Sequence, residues 1–347
     1  MRILIVKLSS LGDVIHTFPA LTDLRSARPD IEVDWLVEEG IAGLVRAHPG
    51  VSEVHEVALR RLRWPPSRWL ALIRHRRGLR TALRARRYDL VLDAQGLMKS
   101  AVLARLAAAP ITGFDEASAR EPAAARFYAH KLKLGDEPHV VEKLRRFFAE
   151  ALGYPVPTEH GRAGLLKPSA RPDIPLPPRY GIVVHSAAWP SKLWDEERWR
   201  EIIALITTGG RQIVLPWGNE EERQRAGRLA AGIEGAGVLP RRLGADELIP
   251  FAAHTDFAVG LDTGLMHLAA AFDVPGVTLF GPTDPDYATP YGAGQRFVRS
   301  THERAPCQQT RCTHGPAGTR CMDFVRLEAV RDAVSEMLAE VEARRGA

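Results

Sequence analysis

Asp262, Thr263 and Gly264, with His267 one helical turn on, stand between a short apolar run, Phe257 to Gly260, and an apolar helical stretch, Leu265 to Phe272. A helix start presents unpaired backbone N–H groups and the positive end of the helix dipole, which together suit a phosphate. Gly264 leaves room for the anion, and Thr263 can add a hydroxyl. The competing reading is a capped helix carrying a core histidine. In a second strand-to-helix loop, Ser191-Lys192-Leu193-Trp194, a lysine can reach a phosphate as a point charge. Glu222, just after Pro216-Trp217-Gly218, is a carboxylate of the kind that accepts from ribose hydroxyls. Near the other end of the chain, Ser9, Ser10, Gly12 and Asp13 follow the apolar run Ile3 to Val6. They fall where a loop at a strand's carboxyl end meets ligand, and Asp13 either works there or merely caps the next helix.

Elements that alternate between strand and helix must position these groups. Ile3–Val6, 32–37, 54–57, 88–93 and 111–114 read as strands, several of them continuous apolar runs of the buried parallel kind. Helical spacing covers Val14 to Leu24, a stretch after Pro66, and His139 to Leu152, the last closed by Gly153 and Pro155. Seven prolines between Pro155 and Pro178 mark a linker. A second alternation follows, with strands at 180–185, 212–215, 257–260 and 276–280 and helices at 195–207, 220–229, 265–272 and 326–344. The fold class is therefore α/β, with two Rossmann-like domains whose ligand loops face a central cleft. The expected boundaries are an N-terminal domain 1–160, a linker 161–178, a C-terminal domain 179–325 and a terminal helix 326–347.

The chain has 347 residues, 45% apolar and 26% charged, with a formal charge of +5. That charge is uneven: Arg60 to Arg87 holds eleven arginines and no Asp, Glu or Lys, so this segment carries +11 and the remainder −6. Such a block is a field for a polyanion: nucleic acid, phosphorylated lipid or an anionic membrane surface. No recognition-helix motif or aromatic stacking platform accompanies it, which disfavours nucleic acid. No apolar run reaches membrane-spanning length, and the N-terminal apolar run is too short for a signal peptide, so the expected location is the cytoplasm. Cys307, Cys312 and Cys321 could take zinc with His302 or His314 as a fourth ligand, but C-x4-C-x8-C is not a standard zinc-ribbon spacing, and ordinary reduced thiols are expected.

The ordered motifs resemble the lipopolysaccharide heptosyltransferases, glycosyltransferases of the GT-B fold. The resemblance rests on Lys7–Asp13, 35–40, 60–63, 93–100, 119–122, 215–218, Asp262-Thr263-Gly264 with His267, and 281–285. It implies an inverting transferase that moves heptose from ADP-heptose to Kdo2-lipid A, the N-terminal domain taking the acceptor and the C-terminal domain the donor. The alternative within the family is addition of the second heptose. By the same resemblance, Asp13 is the catalytic base and Lys192 supports the departing diphosphate. Ser10, Gly12, Ser186, Glu222, Asp262, Thr263, Gly264 and His267 join Lys192 in holding the donor. Arg60, Arg61, Arg63, Gln95, Lys99 and Arg120 meet the acceptor. Neither metal nor other cofactor is expected. The enzyme would sit peripherally on the cytoplasmic face of the anionic inner membrane, without a nucleic-acid partner. Ala187 and Ala188 depart from the threonines usual in the family, leaving Ser186 as the nearby hydroxyl, and the cysteine-bearing tail is closer to the wider family.

Overall fold

A computed structural model describes residues 1–59, 69–312 and 320–346. The chain divides into two compact units, Met1–Leu166 and Lys167–Ala347. The division falls inside the proline-rich segment, and neighbouring hydrogen bonds explain its place. Arg145 binds the carbonyls of Pro157 and Glu159 in the first unit, while His254 meets the carbonyl of Pro168 in the second.

In the first unit, strands β1 (Arg2–Val6), β2 (Glu32–Glu38), β3 (Glu53–Val57), β4 (Leu90–Asp93), β5 (Ile111–Phe114) and β6 (His130–Leu132) form one parallel sheet. The order is β3-β2-β1-β4-β5-β6. Its helices are α1 (Leu11–Ile15), α2 (Phe18–Ala27), α3 (Ala42–Arg46), α4 (Trp69–Arg86), α5 (Met98–Ala104) and α6 (Val140–Leu152). Ile3, Leu4, Ile5 and Val6 are all fully buried, because helices cover both faces of a parallel sheet and every side chain of a central strand meets core. The apolar spacing from Val14 to Leu24 suggests one helix, but the chain forms two, α1 and α2. Pro19 sits at the second position of α2, where its missing N–H costs nothing.

The second unit repeats the plan. Strands β7 (Gly181–Val184), β8 (Ile213–Leu215), β9 (Ala236–Val238), β10 (Ala258–Leu261), β11 (Gly276–Phe280) and β12 (Gln295–Arg299) pair in parallel in the order β12-β11-β10-β7-β8-β9. Read from the other edge, this is the same topology as the first sheet. Helices α7 (Glu196–Thr207), α8 (Glu220–Ala230), α9 (Ala245–Ala253), α10 (Gly264–Ala271), α11 (Pro285–Ala288) and α12 (Leu327–Gly346) accompany it. The terminal helix belongs to this core: Val330, Val334, Met337, Leu338 and Val341 are buried with Trp199 and Ile202 of α7.

The basic block lies partly outside the described residues: Arg60, Arg61 and Arg63 fall there. Of its later part, Arg77, Arg80 and Arg84 on α4 are exposed. Arg86 is not a free surface charge. Its Nε lies 2.7 Å from Asp34 Oδ2 and 3.2 Å from Glu53 Oε2, and its Nη2 lies 2.5 Å from Glu32 Oε1. Tyr88 donates its hydroxyl to the same Asp34 oxygen at 2.8 Å. Asp34, Glu53 and His55 bring ligand atoms within 4.8 Å of one another, the types that could hold a metal, but the Arg86 guanidinium supplies their positive charge. Burial works to raise the Asp34 carboxyl, yet the hydrogen bonds from His55, Arg86 and Tyr88 bring it down to about 2.

Arg86→Ala is therefore expected to leave a fully buried carboxylate without its cation and to destabilise the first unit by about 3 kcal/mol in urea denaturation. Arg77→Ala should change stability by less than about 0.5 kcal/mol. Because the folded Asp34 titrates below its unfolded value, its contribution is complete above about pH 4 and disappears as pH falls toward 2. Equal effects of the two substitutions would show that Arg86 does not anchor the helix.

Candidate functional site

The strand order reverses between β1 and β4 in the first sheet and between β7 and β10 in the second. In open α/β sheets ligands bind beyond the carboxyl ends of the strands at such a switch point. Asp13 follows β1, and Gln95 and Lys99 follow β4. Ser186 and Lys192 follow β7, and Asp262 to Gly264 follow β10.

In the first unit the loop Lys7–Ser10 runs without regular structure, so its backbone groups need side-chain or neighbouring-strand partners. Trp35 Nε1 donates to the Lys7 carbonyl at 3.1 Å, and the Glu38 amide donates to the Leu8 carbonyl at 3.1 Å. Lys7, itself buried, turns its Nζ onto the Ala94 carbonyl at 2.8 Å. Asp13 sits in the first turn of α1, and its Oδ2 accepts from the Ser10 amide at 2.6 Å and the Ser10 hydroxyl at 2.8 Å. It is thus a cap, as one reading of the loop expects. Both recorded bonds fall on Oδ2, however, and among the described residues Oδ1 takes none. Burial tends to raise the Asp13 carboxyl, but Lys7, the two Ser10 donors and Arg120 outweigh it and hold it below the ordinary range. Burial lowers Lys7 in turn, against the pull of Asp13 and Asp93.

Gln95, Lys99 and Arg120 gather at the same loop. Lys99 Nζ lies 3.5 Å from Ser9 Oγ, and Arg120 is exposed and acts electrostatically on Asp13. Gly96 carries φ of +67°, and a Cβ there would stand 3.0 Å from Phe114 and 3.3 Å from the Arg120 amide, so only glycine lets the two loops pass. Gln95 has its amide turned onto the Leu8–Ser9 backbone.

In the second unit, Asp262 is the centre of the arrangement. Its Oδ2 accepts from Lys192 Nζ at 2.6 Å and from Thr283 Oγ1 at 2.7 Å, and its Oδ1 meets His267 Nε2 at 3.2 Å. Lys192 Nζ also donates to the Asp262 carbonyl at 2.9 Å and lies 5.0 Å from the centre of the Trp189 ring. Burial works to raise Asp262, but His267 and Lys192 overcome it and hold the carboxyl far below its usual value. Thr263, in extended conformation, caps α10, and its Oγ1 is enclosed with no hydrogen-bond partner among the described residues. A phosphate oxygen at this helix start would satisfy that hydroxyl and the free N–H groups together. Ser186 Oγ lies 2.8 Å from His185 Nδ1. Burial, aided by Arg225, pushes His185 down to about 4, so the ring is neutral near pH 7. Glu222 opens α8, where its Oε2 accepts from the Gly218 amide at 2.7 Å and its Oε1 from Asn219 Nδ2 at 3.1 Å. Among the described residues no hydrogen bond joins it to Asp262 or Lys192, and it stands one strand further out, after β8.

Several participants are absent from the expected set. Thr283 holds Asp262, and Asp93 holds the Gln95 loop. Ser191 is fixed from the cysteine-bearing segment: its Oγ donates to the Gln309 carbonyl at 2.6 Å and its amide to Thr310 at 3.3 Å. The Gln308 amide bonds the Pro282 carbonyl at 2.7 Å, so this segment braces both the Lys192 turn and the loop bearing Thr283. Motif position was the available signal for Asp93 and Thr283; nothing local in sequence links Ser191 to Gln309. Cys307, Cys312 and Cys321 form no disulfide among the described residues, and burial, with the other two thiols, pushes Cys321 up to about 11. His302 is turned to the Arg304 amide and packs edge-on against Phe324, and His314 lies outside the described residues.

The sequence model for glycosyltransferase family 9 (heptosyltransferase) matches residues 76–317. The chain is 46% identical over 318 residues to lipopolysaccharide heptosyltransferase 1 of Pseudomonas aeruginosa, covering 91% of this chain and 88% of that one. It is 43% identical over 306 residues to the protein of the same name from Escherichia coli K12, covering 87% and 95%. The solved structure of the E. coli heptosyltransferase WaaC with ADP-2-deoxy-2-fluoro heptose superposes with a TM-score of 0.80 at 39% identity, over 97% of this chain and 99% of that one. A phosphate-ready helix start in one unit and an ionised carboxylate at the switch point of the other agree with these likenesses, and the chain belongs to glycosyltransferase family 9, the heptosyltransferases.

Proposed function

We propose that this chain transfers L-glycero-D-manno-heptose from ADP-heptose to a Kdo sugar of Kdo2-lipid A, with inversion at the anomeric carbon. The observation that carries the reading is the Asp13 carboxylate, held ionised at the β1 switch-point loop with one oxygen uncommitted. The relatives named for adding heptose to lipopolysaccharide support the substrate class, and the WaaC structure with a fluorinated ADP-heptose supports the donor.

The steps follow from the side chains. Asp13 takes the proton of the acceptor hydroxyl while that oxygen forms its bond to the anomeric carbon. The bond from that carbon to the diphosphate oxygen breaks on the opposite face, and its electron pair leaves with ADP. Lys192 and the start of α10 at Thr263 and Gly264 stabilise the charge gathering on the diphosphate, preorganised by Asp262 and His267. Ser186 supplies a hydroxyl nearby, Glu222 takes the ribose, and Ser10 and Gly12 border the sugar. No step is assigned to a metal or other cofactor. Arg60, Arg61, Arg63, Lys99 and Arg120 meet the acceptor's phosphates and carboxylates. No helix among the described residues is long and apolar enough to cross a membrane. Arg77, Arg80 and Arg84 on α4 draw the protein to an anionic inner-membrane surface on the cytoplasmic side, each by about 1 kcal/mol near the surface.

The direct test is incubation with ADP-heptose and Kdo2-lipid A, with the product read by mass spectrometry; a product formed only from an acceptor already carrying one heptose would assign the second transfer instead. Asp13→Asn should fold and bind ADP normally but turn over at least about 10²-fold more slowly. Since Asp13 is protonated only below its depressed value, the acid limb of kcat/KM that it causes should lie below about pH 4.

Lys192→Ala should weaken ADP binding and slow turnover together, and the reaction should persist in EDTA. Activity lost to EDTA and restored by magnesium would refute the assignment of leaving-group charge to Lys192 and α10. Replacing Arg60, Arg61 and Arg63 together by Ala should raise the acceptor KM with ADP affinity unchanged. Replacing Arg77, Arg80 and Arg84 should weaken binding to anionic vesicles, less so at high salt. The reverse pattern would move the acceptor contacts to α4.

A further inference from the structure

Gln95 was expected to face the acceptor, yet its amide is committed elsewhere. Oε1 lies 2.8 Å from the Leu8 amide and 3.3 Å from the Ser9 amide, and Nε2 donates to the Ser9 carbonyl at 2.6 Å. A side-chain amide has two donor hydrogens and a carbonyl oxygen with two lone pairs, so three of its four bonding positions are taken by two consecutive residues of one loop. The residue is 7% exposed. Asp93 places it: Oδ1 accepts from the Gln95 amide at 3.0 Å and the Gly96 amide at 3.2 Å, and Oδ2 accepts from the Tyr128 hydroxyl at 2.9 Å. Asp93 is itself wholly buried at the end of β4.

Ser9 is followed by Ser10, whose amide and hydroxyl make both recorded bonds to the Asp13 carboxylate. The hydrogen-bonded path therefore runs from the sheet interior through Asp93 and Gln95 to the backbone that presents Asp13. We propose that Gln95 is a positioning residue for the general base: it fixes the Leu8–Ser9 backbone and thereby sets where the Asp13 carboxylate stands, instead of touching the acceptor. This rests on the reading of Asp13 as the base. It differs from a general contribution to folding because the restrained segment is the one whose register decides the base's distance from the attacking hydroxyl. A misplacement of about 1 Å in such a group can cost on the order of 10²-fold in rate.

The test is a double-mutant cycle on the full chain. Gln95→Met keeps the length of the side chain and removes all three bonds. Gln95→Glu, which keeps an acceptor for the Leu8 and Ser9 amides and loses only the donor to the Ser9 carbonyl, serves where the Met variant does not fold by its melting transition. Each is made alone and in the Asp13→Asn background, and kcat, acceptor KM and ADP affinity are measured. The expected result is a kcat at least about 10-fold lower with acceptor KM and ADP affinity within about 2-fold of wild type, and less than about 2-fold further loss in the Asp13→Asn background. A raised acceptor KM with kcat retained would make Gln95 an acceptor contact and overturn the proposal. So would an equal fall of kcat in both backgrounds, which is what a purely structural role gives, or kcat unchanged. Failure of the underlying reading is separately visible, since Asp13→Asn alone would then turn over as fast as wild type.

Discussion

The reversal of strand order in each parallel sheet is the constraint on which the rest depends. Next to the reversal, β1 lies beside β4 and β7 beside β10, with parallel pairing that holds their carboxyl ends level. Where the order reverses, the chains leaving two adjacent strands part company, so their loops open a crevice that no helix fills. Asp13, Gln95, Lys99, Ser186, Lys192, Asp262 and Thr263 all come from those four loops. Their backbones have no ladder to join, and buried peptide groups without partners are costly, so the loops must be held by side chains.

Both units meet that need with an aspartate at the end of the fourth strand of the sheet, and the two are set to opposite electrostatic ends. Asp93, closing β4, receives neutral donors from Gln95, Gly96 and Tyr128, and burial leaves its carboxyl raised. Asp262, just past β10, receives Lys192 and His267 and is driven far down. The first is suited to holding a loop in place. The second holds a cation at a helix start, where an anionic ligand can take over part of its partnership without leaving Lys192 unpaired. One topological position thus serves geometry in one sheet and charge in the other.

The central strands were legible because burial on both faces demands an unbroken apolar run, as in Ile3–Val6 and 182–184. Of the edge strands, β3 was legible through Val54 and Val57, and the other three were not. His130–Leu132 and Gln295–Arg299 carry polar residues because an edge has a solvated side, and Ala236–Val238 is too short to show a period. Helix Ala245–Ala253 was hidden by Pro250 in its interior. The chemistry-bearing loops could be found from residue types placed after apolar runs. Their partnerships could not: Ser191 with Gln309, Asp262 with Thr283 and Leu8 with Gln95 join residues 118, 21 and 87 positions apart. Arginine 86 belonged to the basic block by composition and to the fold by contact, because only tertiary structure brings Asp34 and Glu32 to it.

The resting state of Asp13 bears on the base role proposed for it. A general base is most effective with its pKa near the working pH, and this carboxyl lies below even the ordinary range. The causes that lower it differ in permanence. Lys7 is buried and tied to the Ala94 carbonyl, so its ammonium is fixed in place and no ligand displaces it. The Ser10 hydroxyl and the exposed Arg120 are different, since each can exchange its partner for a group on a bound molecule. An anionic acceptor paired with Arg120 would cancel one depressing charge. A substrate hydroxyl directed at Oδ1 would meet a carboxylate whose solvent has been displaced, and that too raises basicity. Both changes act in the direction that makes Asp13 a stronger base when substrate is present, while in its absence the carboxylate stays ionised and fixed over Ser10.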